Sequence, residues 1–120
     1  MSQRLVIHRS EWLRGEGSDN SRLFRHADHK LCCVGIYLRD LLRLDPHDDL
    51  DEVCTAAEVH ENFATAGSSP IPGWMLSAIS GADIGKLYDI NDDMHRTDAD
   101  REQAIAELFG YHDVHVTFQD

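Results

Sequence analysis

The chain has 120 residues, 42% of them apolar and 28% charged, which suits a single folded domain and argues against a disordered chain. Its formal net charge of −11 argues against nucleic acid as a direct ligand, because phosphates need Lys and Arg partners. Three cysteines, with Cys32 and Cys33 adjacent, make no disulfide framework, and no apolar run is long enough for a bilayer or shaped like a signal peptide. The expectation is one cytoplasmic domain with no membrane partner.

Residues 4–9 (RLVIHR), short and partly β-branched, predict a strand. Ser10 is expected to cap at most one helical turn over 11–14, with Trp12 folded back onto the core, and 15–20 (GEGSDN) reads as loop. Two short apolar runs, 21–24 and 30–33, flank the polar stretch 25–29 and predict a hairpin. It feeds the most periodic segment, 31–44 (LCCVGIYLRDLLRL), expected to be the central core helix. There Val34, Tyr37, Leu38, Leu41 and Leu42 make one apolar stripe and leave Arg39, Asp40 and Arg43 to water. The helix should stop at Asp45, since Pro46 cannot continue the hydrogen-bond ladder.

Residues 48–54 predict a short helix, and Thr55 with Glu58 three residues on has the capping-box spacing for a turn or two over 56–63. The stretch 66–73 (AGSSPIPG) is loop, and Trp74, Met75 and Leu76 should anchor this middle region. Ile84, Leu87 and Tyr88 predict a short helix ending near Asp89, followed by a polar loop over 91–96. Thr97 then caps a helix whose buried stripe is Ala104, Ile105, Leu108 and Phe109, with Gly110 at its C-terminal cap. In 114–118 (VHVTF) Val114, Val116 and Phe118 alternate with His115 and Thr117 as in a half-buried strand, available to pair with the first. The expected fold is α+β, with the central and C-terminal helices packed on a small, mostly antiparallel sheet.

Three constellations invite chemistry. Cys32 and Cys33 suggest a thiolate nucleophile with a histidine base, but neither the CxxC spacing nor a catalytic signature surrounds them, and small buried hydrophobes are the simpler expectation. His26 with His29, and His112 with His115, lack a third ligand at zinc-like spacing. Asp89, Asn91, Asp93, Thr97 and Asp100 stand at positions 1, 3, 5, 9 and 12 of a calcium-loop pattern, yet Met94 replaces the turn glycine and Asp100 is shorter than the usual Glu. A turn built by 91–93, with Thr97 and Asp100 capping the next helix, accounts for the same residues. No cofactor is expected. A Cys-dependent enzyme or a metal-binding module stands as the alternative reading of function.

Charge distribution says more than any motif. Residues 1–43 hold eight Lys/Arg and five Asp/Glu, whereas 44–120 hold three and seventeen. Asp45, Asp48, Asp49, Asp51, Glu52, Glu58 and Glu61 crowd a span without a basic residue. They are the expected contact set for a partner protein with a basic surface, since a carboxylate array can occupy a channel built for phosphates.

Trp12, Arg14-Gly15, Leu23-Phe24, Cys32-Cys33-Val34-Gly35, Ile90-Asn91-Asp92-Asp93, Arg101, Ile105, Leu108-Phe109, Val114, Val116 and Phe118 together resemble small proteins encoded by bacteriophages and prophages, whose pattern runs WxRG, CCLG, and LND or IND before a helix and a last strand. Val34 stands where those proteins carry Leu, and the likeness does not extend over 46–85. The resemblance implies a bacterial cytoplasm and a phage setting, and carries over no catalytic residue. Small acidic phage proteins are similar to a class from which inhibitors of host defence are drawn, which implies a counter-defence role of anti-CRISPR type against a nucleic-acid-handling complex.

Overall fold

The computed structural model describes residues 3–15, 23–25, 28–45, 50, 56, 59–60, 71–76 and 81–120. Strand β1 (Gln3–His8) leads into a single 3-10 turn, Arg9–Glu11, and helix α1 spans Cys33–Leu42. A second 3-10 turn, Gly73–Leu76, precedes helices α2 (Asp83–Asp92) and α3 (Asp98–Tyr111), and strand β2 (Val114–Gln119) follows. Ala56, Val59 and His60 are helical as the capping-box spacing predicted, whereas all of the helix expected over 48–54 except the buried Leu50, and most of the loop over 66–73, lie outside the described residues.

The α+β expectation holds, but the sheet is parallel. Strand β1 pairs with β2 in parallel from Gln3 opposite Val114 to His8 opposite Gln119. Apolar alternation marks the buried face of a strand and carries no information about its direction. Direction here comes from α3, which turns into β2 through His112 and Asp113, the latter in the left-handed region at φ 64°, and lies back over the strand it feeds. A parallel pair needs a long crossover, and the helices between β1 and β2 supply it.

Leu5, Ile7 and Val114 point into a core that holds Trp12, Leu38, Met75, Leu87, Ile105 and Phe109. Of the predicted hairpin the described residues show a bridge between Arg25 and Lys30, while Leu31 pairs with Trp12 and carries the chain into α1. Within α1 the order of burial differs from a uniform stripe. Residues 33–38 are buried on every side, and Leu41 and Leu42 are only half-buried. The helix ends at Leu42 rather than running to 44, because Arg43 enters the left-handed region at φ 54° and its N–H returns to the Arg39 carbonyl.

Gly35 explains the small residue in the middle of that buried turn. A Cβ there would drive into the backbone carbonyl of Leu23, so α1 and the 23–25 segment approach more closely than any side chain allows. Among the described residues no helix is long and apolar enough to cross a membrane.

Candidate functional site

Helix α1 begins against a buried polar hub. Its first N–H, at Cys33, donates to Oδ1 of Asn91 at 3.1 Å, and the N–H of Gly35 donates to the Cys32 sulfur at 3.4 Å. The Cys32 carbonyl accepts from Ile36 to begin the helical ladder, and two of the donors that a helix N-terminus leaves open, at Cys33 and Gly35, are met within the fold.

Asn91 sits in the last turn of α2, only 1% exposed, where the sequence predicted a polar loop. Its Oδ1 also accepts the Trp12 indole N–H at 2.8 Å. Its Nδ2 donates to the Leu13 carbonyl at 2.9 Å and to the Asp92 carboxylate at 3.1 Å. The Asn91 carbonyl accepts from Gly15 at 2.8 Å. Two acceptor sites and two donors of one amide are thus used, which is what a buried amide requires.

Beside it lies Arg101, 2% exposed on the core side of α3. Its guanidinium donates to the carbonyls of Ile90, Asp93 and Arg96 and to the Asp98 carboxylate. It clamps the α2–α3 junction. Gly15, at φ 69°, passes over it so closely that a Cβ would stand 3.0 Å from Nη2. Arg14 lies 4.5 Å over the Trp12 ring and reaches Asp98 at 3.2 Å. The hydrogen bond from Arg14, reinforced by the nearby Arg101 charge, holds the Asp98 carboxyl below its ordinary range.

The segments singled out by the resemblance, WLRG, CCVG, IND and Arg101, therefore converge on one place although they are spread over most of the chain. Spacing did contain a signal for the two buried polar residues. Asn91 continues the Ile84, Leu87 stripe of α2, and Arg101 stands four residues before Ile105 on that of α3.

The cysteines fall inside this hub as packed side chains. Burial pushes the Cys32 thiol up to about 12 and the Cys33 thiol well above its ordinary value. At neutral pH both are thiols, and the Gly35 N–H that meets the Cys32 sulfur is a capping contact.

The calcium-loop residues do not converge. Asn91 is committed to the hub, and Asp89 is exposed on α2. Asp93 turns back to accept the His95 N–H at 2.9 Å, and Thr97 Oγ1 caps α3 by accepting from Asp100 at 3.2 Å. Among the described residues no three His, Cys, Asp or Glu side chains gather as a metal ion would need. His112 stacks on Trp74 with ring centroids 3.9 Å apart and meets Asp83 at 2.7 Å, joining the end of α3 to the start of α2. His115 is exposed on β2 and His29 is exposed beside Phe24, while His26 lies outside the described residues.

Of the acidic contact set, Asp45 is exposed just beyond α1, and Asp48, Asp49, Asp51, Glu52, Glu58 and Glu61 lie outside the described residues. Four arginines of the first third pair with described carboxylates. Arg9 pairs with Glu102 and Asp120, Arg14 with Asp98, Arg25 with Asp28, and Arg39 with Glu11 and Asp40. Comparison with protein-family models, with curated proteins and with solved structures found no match to this chain.

Proposed function

We propose that this is a small acidic accessory protein of phage type that acts stoichiometrically, by binding a host protein with a basic surface. The observation that carries the reading is one of charge. The 42 residues from 44 to 85 hold eight carboxylates and no Lys or Arg. The described ion pairs of Arg9, Arg14 and Arg39 join carboxylates outside that span. A concentration of negative charge of this kind steers association with a cationic groove. A nucleic-acid-handling complex is the class of target it fits, because its phosphate channel already accepts regular negative charge, and occupation of that channel is a counter-defence mechanism of anti-CRISPR type.

The test is capture of the partner from a bacterial lysate, followed by kinetics on the purified pair. Association should slow markedly as salt rises, since the Debye length is only about 8 Å at physiological ionic strength. Reversing the charge at Asp48, Asp49, Asp51 and Glu52 should slow it at low salt as well. Equal association rates for the reversed and native proteins would remove the acidic segment from the interface.

A further inference from the structure

The two-stranded sheet has an open edge with an unusual charge. The Gln3 N–H donates to the Asp113 carbonyl at 2.9 Å. By the alternation of a parallel ladder, Gln3, Leu5 and Ile7 turn their backbone groups toward β2, and Arg4 and Val6 turn theirs to the opposite edge. No described residue bonds to them there.

Along this edge runs a groove of about 320 Å³, lined by Gln3, Arg4 and Leu5 of β1 and by Tyr37, Leu41 and Arg43 of α1 and its cap. Asp40 also borders it but is engaged by Arg39 at 3.0 Å, and the Tyr37 hydroxyl donates to Gln3 Oε1 at 2.7 Å. Every described arginine meets a carboxylate except Arg4 and Arg43, and both line this groove. In a chain of net charge −11, the unpaired arginines among the described residues are gathered at one open strand edge.

The geometry points to this edge as a docking site for an extended acidic segment of a partner protein, added to the sheet as a third strand beside β1. The backbone groups of Arg4 and Val6 supply the ladder hydrogen bonds. Leu41, half-buried on the groove wall, receives the inward side chains, and Arg4 and Arg43 meet carboxylates on the added strand. A nucleic acid fits less well, because two arginines do not offset the repulsion of a long polyanion by the rest of the molecule. The site is separate from the acidic segment 44–85 and opposite to it in sign, so it stands or falls independently of the function proposed above.

The probe is an acetylated, amidated peptide of alternating Glu and Val, titrated into the full chain at low salt and followed by amide hydrogen exchange. Binding should slow exchange at the Arg4 and Val6 amides about tenfold or more. The Arg4→Glu, Arg43→Glu double variant, altered only at exposed side chains, should bind about tenfold more weakly. Three results would overturn the proposal: no binding, equal binding of a Lys-Val peptide, or binding that leaves exchange at Arg4 and Val6 unchanged. Protection already present in the free protein and lost on dilution would overturn it too, by giving the edge to a second copy of the chain.

Discussion

The indole N–H of Trp12 and the side-chain oxygen of Asn91 meet at 2.8 Å, joining the segment after β1 to the end of α2. Around that bond Asn91 also serves the Cys33 N–H and the Leu13 carbonyl. Replacing Asn91 by Leu keeps the volume and leaves three buried polar groups without a partner. Each costs about 1–3 kcal/mol, so the variant should lose at least about 3 kcal/mol in urea melts. Trp12→Phe combined with Asn91→Leu should lose less than the sum of the two single changes. A single-variant loss below about 1 kcal/mol would mean that the hub does not hold the fold.

Two glycines make a matched pair of tests. Gly35→Ala gains helix propensity but drives a methyl into the Leu23 carbonyl, so it should destabilise by about 1–3 kcal/mol. Gly85, inside α2 with open space where a Cβ would stand, should instead gain about 0.5–1 kcal/mol on the same change. Opposite signs in thermal melts are the expected outcome, and equal signs would contradict the close approach at Gly35.

Within α1 the cost of truncation should follow depth. Leu38 is wholly buried, and Leu38→Ala should cost about 2–5 kcal/mol. Leu41 is half-buried along the β1 groove, and its truncation should cost about half as much or less. Denaturant midpoints of the two variants decide it.

Acid should weaken the protein in a defined window. Hydrogen bonds from Arg14 to Asp98 and from Arg25 to Asp28 hold both carboxyls below the ordinary value of 3.8. A carboxyl depressed in the folded state contributes stability that is present above its unfolded pKa and is lost as pH falls through the folded value. Stability should therefore decline from about pH 4 downward, and Asp98→Asn should flatten that decline. Both carboxyls are partly exposed, so added salt should shrink the effect.

Alkali should act through the thiols with the opposite sign. Cys32 and Cys33 are raised by burial, so their contribution is complete below the ordinary thiol value of 9.0 and fades as pH climbs toward about 12. The Cys32→Ala, Cys33→Ala double variant should show a flatter alkaline limb. Peptide mapping after brief alkylation at neutral pH should find both thiols unmodified in the native protein and modified after denaturation. Rapid native labelling of either would restore the thiolate reading.

Much of the framework was legible. Apolar period located α1, α3 and β2, because each buries one face and repetition records that face, and a short, partly β-branched run located β1. Where it misled, a specific interaction outweighed the pattern. The polarity of 91–96 suggested a loop beginning at Asn91, but the hub satisfies that amide and α2 runs on to Asp92. Arg101 lies on the buried stripe of α3, but the carbonyls of Ile90, Asp93 and Arg96 that receive its guanidinium come together only in the fold. Strand direction was not legible at all, since parallel and antiparallel strands share the same alternation. The convergence of WLRG, CCVG and IND belongs to tertiary structure, and no spacing within one segment encodes a meeting with another.

Pairing of β1 with β2 fixes the order in which the molecule can be completed. A ribosome makes β1 early, at residues 3–8, and the strand's partner is not synthesised until residues 114–119. Until then Leu5 and Ile7 have no sheet to enter, and both edges of β1 are open to other chains. Helices α1 to α3 rest mainly on nearer contacts and can assemble first, whereas the sheet closes only after a loop of more than a hundred residues has been drawn together. A chain released before residue 114 would keep its helices and lose the one ladder that organises β1. Premature termination should therefore yield aggregation rather than a smaller folded protein.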